Sequence, residues 1–217
     1  MSVASPPLGL PLEQHVVLHR VRWSTYQALL EDLGDHRGSR ITYYRGTLEI
    51  MSPSDEHEYL KKLTGRLIEV FTEELGIGIR SAGSTTRQSQ LREAGVEPDE
   101  SYYIQNELRV RGKKVIDLTR DPPPDLAVEI DLRKGTIDRD AVYAALGIPE
   151  VWTHDGKLLR VRLLGPDGRY QPSAMSAALP LLPIAELSRF LDRRYSLDET
   201  ALIREFRAWV RERFGSA

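Results

Sequence analysis

Apolar residues along this chain recur at two spacings. In some stretches they return every three to four positions and in others every second one, the signatures of helix and strand. Trp23, Tyr26, Leu29, Leu30 and Leu33 predict a short helix over residues 24–33. Residues 40–51 read as two strands around Arg45-Gly46, a hairpin. Ser54 then caps a long helix running to about residue 75, with Leu60, Leu63, Leu67, Val70, Phe71 and Leu75 at helical spacing. Asp55 and Glu56 stand in its first turn, where the helix dipole favours negative charge, and Gly76 ends it. Short strands are expected near residues 77–80, 85–90 and 100–104.

Residues 125–131, Asp-Leu-Ala-Val-Glu-Ile-Asp, alternate behind three prolines and read as a strand. A helix over 137–146 follows, ended by Gly147 and Pro149. Strands at 150–153 and 158–164 come next, the second turning at Gly165-Pro-Asp-Gly168. The tail holds a helix near 184–191 and a last one opened by a capping box of Ser196 and Glu199, with Leu202, Phe206, Trp209, Val210 and Phe214 as its apolar stripe. Such an order predicts an α/β or α+β domain with a mixed sheet. Three prolines in the first eleven residues suggest a loose start. The expected organisation is an N-terminal arm over 1–22, a domain over 23–182 and a helical C-terminal extension over 183–217.

Composition narrows the chemistry. The chain has 217 residues, enough for one domain with a sizeable core, and its 41% hydrophobic and 29% charged content fits a globular protein. With no cysteine there is no disulfide framework, thiolate zinc site or cysteine nucleophile, and a cytoplasmic location is expected. No stretch approaches the roughly 20 apolar residues of a membrane span, and the start lacks the marks of a signal peptide. A formal charge of −2 gives no general attraction to nucleic acid, so any such binding must come from a local patch.

Two acidic segments lie about thirty residues apart. In Glu97-Pro-Asp-Glu-Ser-Tyr-Tyr103, Asp99 follows a proline at the entrance of a strand. In 125–131, alternation sends Leu126, Val128 and Ile130 to one face and Asp125, Ala127, Glu129 and Asp131 to the other. Carboxylates converging from adjacent strands make a hard oxygen site for Mg²⁺ or Mn²⁺. An edge strand with one wet face fits the same alternation equally well.

Together these segments resemble the PD-(D/E)XK nuclease superfamily, the restriction-endonuclease-like fold. More narrowly, they resemble a large bacterial family of uncharacterised, Uma2-like proteins classed with the restriction endonucleases. The resemblance is carried, in order, by GTLEIMSPSDEHEYL, EPDESYYIQN, RGKKVIDLTRDPPPDLAVEID and DRDAVYAALGIPEVW, spanning about residues 41–165. It implies a mixed β-sheet flanked by helices and Mg²⁺- or Mn²⁺-dependent hydrolysis of DNA. It makes Asp99 and Glu129 ligands of the metal, with Glu49 supporting them, Glu58 as the weaker alternative, and His57 bonding a carboxylate or the substrate. Where the superfamily motif has lysine, two residues after Glu129, this chain has Asp131. The family's lysine four residues before the tyrosine matching Tyr143 is here Arg139. Arg139, or Lys134 in the loop after the strand, is then the cation facing the phosphate.

For His57 an exposed place in the first helical turn is an equal reading, and for Glu97 a solvated charge is the stronger one. His15 and His19 have metal-ligand spacing only on a helix, whereas their setting reads as a strand. Trp152 reads as core. Arg109, Arg111, Lys113 and Lys114 could meet phosphates or simply be solvated, while the arginines of the last helix alternate with glutamates. A homodimer suits the cutting of two strands. The alternative to the nuclease is a protein of the same fold, catalytically inactive, that binds nucleic acid or a protein partner.

Overall fold

The structure, a computed structural model, describes residues 13–34 and 38–215. Its elements follow in chain order as β1 (Gln14–Leu18), α1 (Trp23–Leu33), β2 (Arg40–Tyr44), β3 (Thr47–Ser52), α2 (Asp55–Glu74), β4 (Arg80–Ser81), β5 (Arg87–Ser89) and β6 (Ala94–Val96). They continue with β7 (Glu100–Tyr103), α3 (Glu107–Val110), β8 (Leu126–Ile130), α4 (Arg139–Leu146), β9 (Glu150–His154), β10 (Leu159–Leu164), β11 (Tyr170–Ser173), α5 (Ile184–Asp192) and α6 (Glu199–Phe214). The class is mixed α/β, with helices flanking the strands and a C-terminal helix.

The strands divide into two sheets. One is wholly antiparallel, in the order β1-β3-β2-β6-β5. The other runs β11-β10-β9-β8-β7-β4 and is mixed, because β8 and β9 are parallel and joined through α4. Residues 1–12 of the expected arm lie outside the described residues, but Gln14–Leu18 is no loose arm. It pairs with β3 along its whole length, Val17 opposite Glu49, and turns His15 and Val17 inward.

The long helix forms as its pattern predicts. Ser54 accepts the His57 backbone N–H, three acids stand in the first turn, and Leu60, Leu63, Leu67 and Phe71 are fully buried. Leu63, Leu67 and Phe71 pack with Leu126, Val128 and Trp152 and with Leu187, Phe190, Leu202 and Phe206 from α5 and α6. The C-terminal segment is thus part of the main core, with Phe190 and Phe206 edge-on at 5.0 Å. The opposite face of the mixed sheet, through Ala127 and Val151, packs on Val142, Tyr143 and Leu146 of α4 and on Val96. A third cluster lies under α1, where Tyr26 stacks on Tyr43 at 5.0 Å. Gly95 on β6 admits that ring, since a Cβ there would lie 2.2 Å from the Tyr26 hydroxyl oxygen.

Three local expectations shift. The cap of α6 is Asp198, whose carboxylate accepts the Ala201 N–H at 3.0 Å, in place of the Ser196–Glu199 box. β6 is Ala-Gly-Val, too short and too glycine-rich to announce itself. β11 contains Pro172, which an edge strand tolerates because one side of it needs no donor. Among the described residues no helix is long and apolar enough to cross a membrane.

Phe206→Ala tests the anchoring of α6 in the main core. It should lower unfolding stability by about 3–5 kcal/mol in urea denaturation, the cost of an aromatic-sized core cavity; a change under about 1 kcal/mol would mean that α6 is only a peripheral cover.

Candidate metal and phosphate site

The antiparallel sheet contributes Glu49 from β3 and His15 from β1, whose Nδ1 lies 3.5 Å from the Glu49 carboxylate. From the mixed sheet come Asp99, at the entrance of β7, and Glu129 in the middle of β8. The pairing of Glu100 with Val128 and the Asp99 N–H bond to the Val128 carbonyl make Asp99 and Glu129 cross-strand neighbours. They are 1% and 2% exposed, so neither is the wet face of an edge strand.

Each buried carboxylate has its own partners, as the cost of burying charge requires. Asp99 Oδ2 accepts the Ile130 N–H at 2.7 Å and lies 3.1 Å from His57 Nε2, and Arg40 Nε stands 3.7 Å from Oδ1. Glu129 receives Arg139 on Oε2 and the Tyr143 hydroxyl on Oε1. Arg139 begins α4 and Tyr143 lies one turn later, so the i,i+4 spacing aims both at β8. Burial pushes the Glu129 carboxyl up while the guanidinium of Arg139 pulls against it. Glu49 Oε2 accepts the backbone N–H groups of Thr136 at 2.6 Å and Ile137 at 3.3 Å, securing the loop before α4. Its Oε1 is buried without a hydrogen bond, 3.5 Å from His15 Nδ1 and 3.9 Å from Arg139 Nη2. Gly135 makes this approach feasible, since a Cβ there would fall 2.5 Å from Glu49 Oε1.

His57 is fully buried rather than exposed in the first turn. Burial alone would lower its imidazole, but Asp99, with Glu58 and Glu13 beside it, pushes it up to about 9. Glu58 is half-buried at the rim and is held down to about 2, chiefly by His57 and, against the opposing effect of burial, by Lys61 at 2.9 Å. Glu97 is not solvated either. It is buried and joins strands, accepting the Ile41 N–H and the Thr86 hydroxyl.

A pocket of about 240 Å³ opens beside Glu129 and is lined also by Asp131, Lys134, Arg139, Tyr143 and Arg162. Lys134 is exposed at its mouth and makes no ion pair with the carboxylates. Asp131, at the position where lysine was expected, faces the same pocket, and burial raises its carboxyl. Arg162 enters from β10, held by Asp140 and the Thr153 hydroxyl at 2.6 Å each.

Among the described residues no three histidine or carboxylate side chains are set to grip an ion. The reason is visible in the partners: Arg139, Tyr143, His57 and Ile130 already occupy the oxygens that an ion would use. The donor chemistry nevertheless fits a hard divalent ion. Four carboxylates are buried here, and Glu13 Oε1 and Glu49 Oε1 have no hydrogen-bond partner. Glu13, Arg40 and Arg162 did not stand out in the sequence; His15 was read there as a strand residue and Tyr143 only as the landmark that locates Arg139. Tyr143 was detectable from its helical spacing to Arg139, and His15 from its alternation with Val17. Arg40 carried no such signal.

A family model described as "Uma2: Putative restriction endonuclease" matches residues 23–198. Among solved structures, a putative nuclease belonging to DUF820 from Anabaena variabilis is similar, with 16% identity, 70% of this chain and 90% of that chain covered, and a TM-score of 0.47. No curated protein matches the chain.

The His57–Asp99 pair has a pH signature measurable in EDTA. A histidine raised from about 6.5 to about 9 contributes stability that is fully present below pH 6.5 and lost as pH rises through 9. Wild type should therefore lose on the order of 3 kcal/mol over that window relative to His57→Gln. Parallel stability profiles for the two proteins would contradict the pairing.

Proposed function

The chain belongs to the Uma2 family of restriction-endonuclease-like proteins, and on that premise we propose that it hydrolyses phosphodiester bonds of DNA with Mg²⁺ or Mn²⁺. The observation that carries this reading is the pair of buried carboxylates, Asp99 and Glu129, side by side on neighbouring strands, with Glu129 lining a pocket that Lys134, Arg139 and Arg162 share with Asp131, Asp138 and Asp140. Asp99 and Glu129 would hold the ion, with Glu49 supplying its unpartnered oxygen. When bound, such an ion polarises the scissile phosphate and makes a bound water acidic enough to attack at neutral pH.

The chain's own residues orient the substrate. Arg139 lines the pocket and carries a permanent charge in a planar fork, so it clamps phosphate oxygens and does not serve as a base. Lys134, free at the mouth, meets an approaching phosphate as a point charge. Tyr143 fixes the orientation of Glu129, and His57 and Arg40 fix Asp99. Two copies related by a twofold axis would present two such sites to a duplex.

Purified protein with Mg²⁺ or Mn²⁺ should cut at least one of supercoiled, linear, single-stranded or branched DNA. Glu129→Ala should abolish the cutting, and Arg139→Ala should slow it by about 10²–10³-fold, as for loss of a charge-stabilising donor. Identical behaviour of wild type and Glu129→Ala on all four substrates would sink the enzyme reading.

A second reading, an inactive protein of this fold that binds nucleic acid or a protein, is favoured by one observation. Arg139 sits on Glu129 where a cation would, and Asp131 stands in place of the lysine. Calorimetric titration with Mn²⁺ separates the two: binding that is lost in both Asp99→Asn and Glu129→Gln supports the enzyme, and no heat of binding in wild type supports the inactive protein.

A further inference from the structure

A pocket of about 590 Å³, more than twice the size of the one beside Glu129, takes no part in the site described above. α4 contributes Ala144 and Ala145 to it, the turn between β2 and β3 contributes Arg45, and the turn between β5 and β6 contributes Leu91, Arg92 and Glu93. Alanines on a helix leave room that longer side chains would fill, and the volume is that of a small-molecule site. The two turns are tied by the Arg45 N–H, which donates to the Glu93 carbonyl at 2.9 Å. Both residues stand in the left-handed region, Arg45 at φ 45° and Glu93 at φ 47°, where asparagine or glycine is at ease and a long side chain is not. Strained backbone of this kind concentrates at ligand-binding turns.

The charges lining this pocket are not engaged with one another. Among the described residues, Arg45, Arg92 and Glu93 make no ion pair, and all three are exposed. The Arg45 guanidinium lies over the ring of half-buried Tyr44, 5.1 Å from the centroid, so the ring backs a cationic plane. Leu91, which lines the same pocket, is 90% exposed. A flat apolar body joined to an anion matches every one of these groups. The guanidinium plane and Leu91 suit the flat body, Arg92 suits the anion, and Glu93 offers an acceptor to an amino group.

We propose that this pocket takes one unpaired nucleotide of the DNA strand, with its base on the Arg45 plane and against Leu91, its phosphate on Arg92, and an exocyclic amine, where the base has one, on Glu93. The proposal rests on the nuclease reading and names its substrate class, DNA with an unpaired end. Asp140 lines the pocket beside Glu129, and Ala144, one turn further along the same side of α4, lines this one. One turn is about 6 Å of helix, close to two nucleotide steps of about 3.4 Å. A strand held beside Glu129 therefore reaches this pocket within about two nucleotides. A paired base cannot enter, because its edge and its faces are taken by its partner and its neighbours in the stack.

The test places 2-aminopurine, an adenine analogue whose emission responds to stacking, first among three unpaired adenines at one end of a 20-base-pair duplex, with Ca²⁺ and again with EDTA. By fluorescence anisotropy wild type should bind this tailed duplex about 10-fold more tightly than the blunt one, the effect of one stacked base, and should shift the 2-aminopurine emission. Arg45→Gln removes the plane and should abolish both effects while blunt-duplex affinity stays within about twofold. Arg45→Lys returns the charge without the plane and should not restore them. Ala144→Glu fills the pocket and should act as Arg45→Gln does; exposed Arg45 carries the test if Ala144→Glu fails to fold. A thymine tail should bind wild type about threefold less tightly than an adenine tail, and Glu93→Gln should remove that difference; equal affinity of wild type for the two tails overturns the place given to Glu93. Equal affinity of wild type for tailed and blunt duplex, or a tail preference that survives Arg45→Gln, overturns the proposal and leaves the nuclease reading intact. A tail preference in a wild type that cuts no DNA with Mg²⁺ or Mn²⁺ overturns the nuclease reading and supports the nucleotide pocket. Thermal stabilisation by free dAMP that Arg45→Gln abolishes, without any tail preference, reassigns the pocket to a free nucleotide and overturns its part in holding the substrate.

Discussion

Glu129 stands in the middle of a strand buried on both faces, and its charge is tolerable there only because Arg139 and Tyr143 reach it from α4. Breaking such a pair leaves an uncompensated buried charge, a larger penalty than the pair's net contribution to stability. The geometry around it follows. α4 must cross from β8 to β9 with its first turn over β8. The loop before it must pass close to Glu49, which Gly135 permits, and Glu49 in turn binds that loop through its backbone N–H groups. One ion pair therefore fixes the parallel βαβ unit and ties the second sheet to it.

The same constraint shapes the surroundings of the neighbouring acids. Glu13, Glu49, Asp99 and Glu129 are all buried there, and the protein offsets them with Arg139, Arg40 and a protonated His57. An incoming divalent ion would compete with these internal cations for the same oxygens. The near-neutral total charge conceals this local gathering of acids around Asp99 and Glu49.

Most of the element order was legible because helix and strand patterns are local. Caps, alternation and apolar stripes act within a few residues, so α2, α4, α5 and the hairpin of β2 and β3 fall where the periodicity puts them. The candidate acids were legible as residue types at strand positions. Their surroundings were not: His57 looks like a surface residue from its polar neighbours in the chain, and Glu97 like a solvated one. Burial decides otherwise for both, through partners 42 and 56 positions away.

The sequence by itself determined the longer helices and most of the strands, that no thiol chemistry operates, and that acidic residues recur on strands bounding a helix with Arg139 and Tyr143 one turn apart. Only the tertiary structure decided that β1 is the edge of a sheet and not an arm, that the C-terminal helices complete the main core, and which cation meets which carboxylate. The physical reason is that backbone preferences act over a turn or a strand, whereas the cost of a buried charge depends on groups brought together from distant parts of the chain.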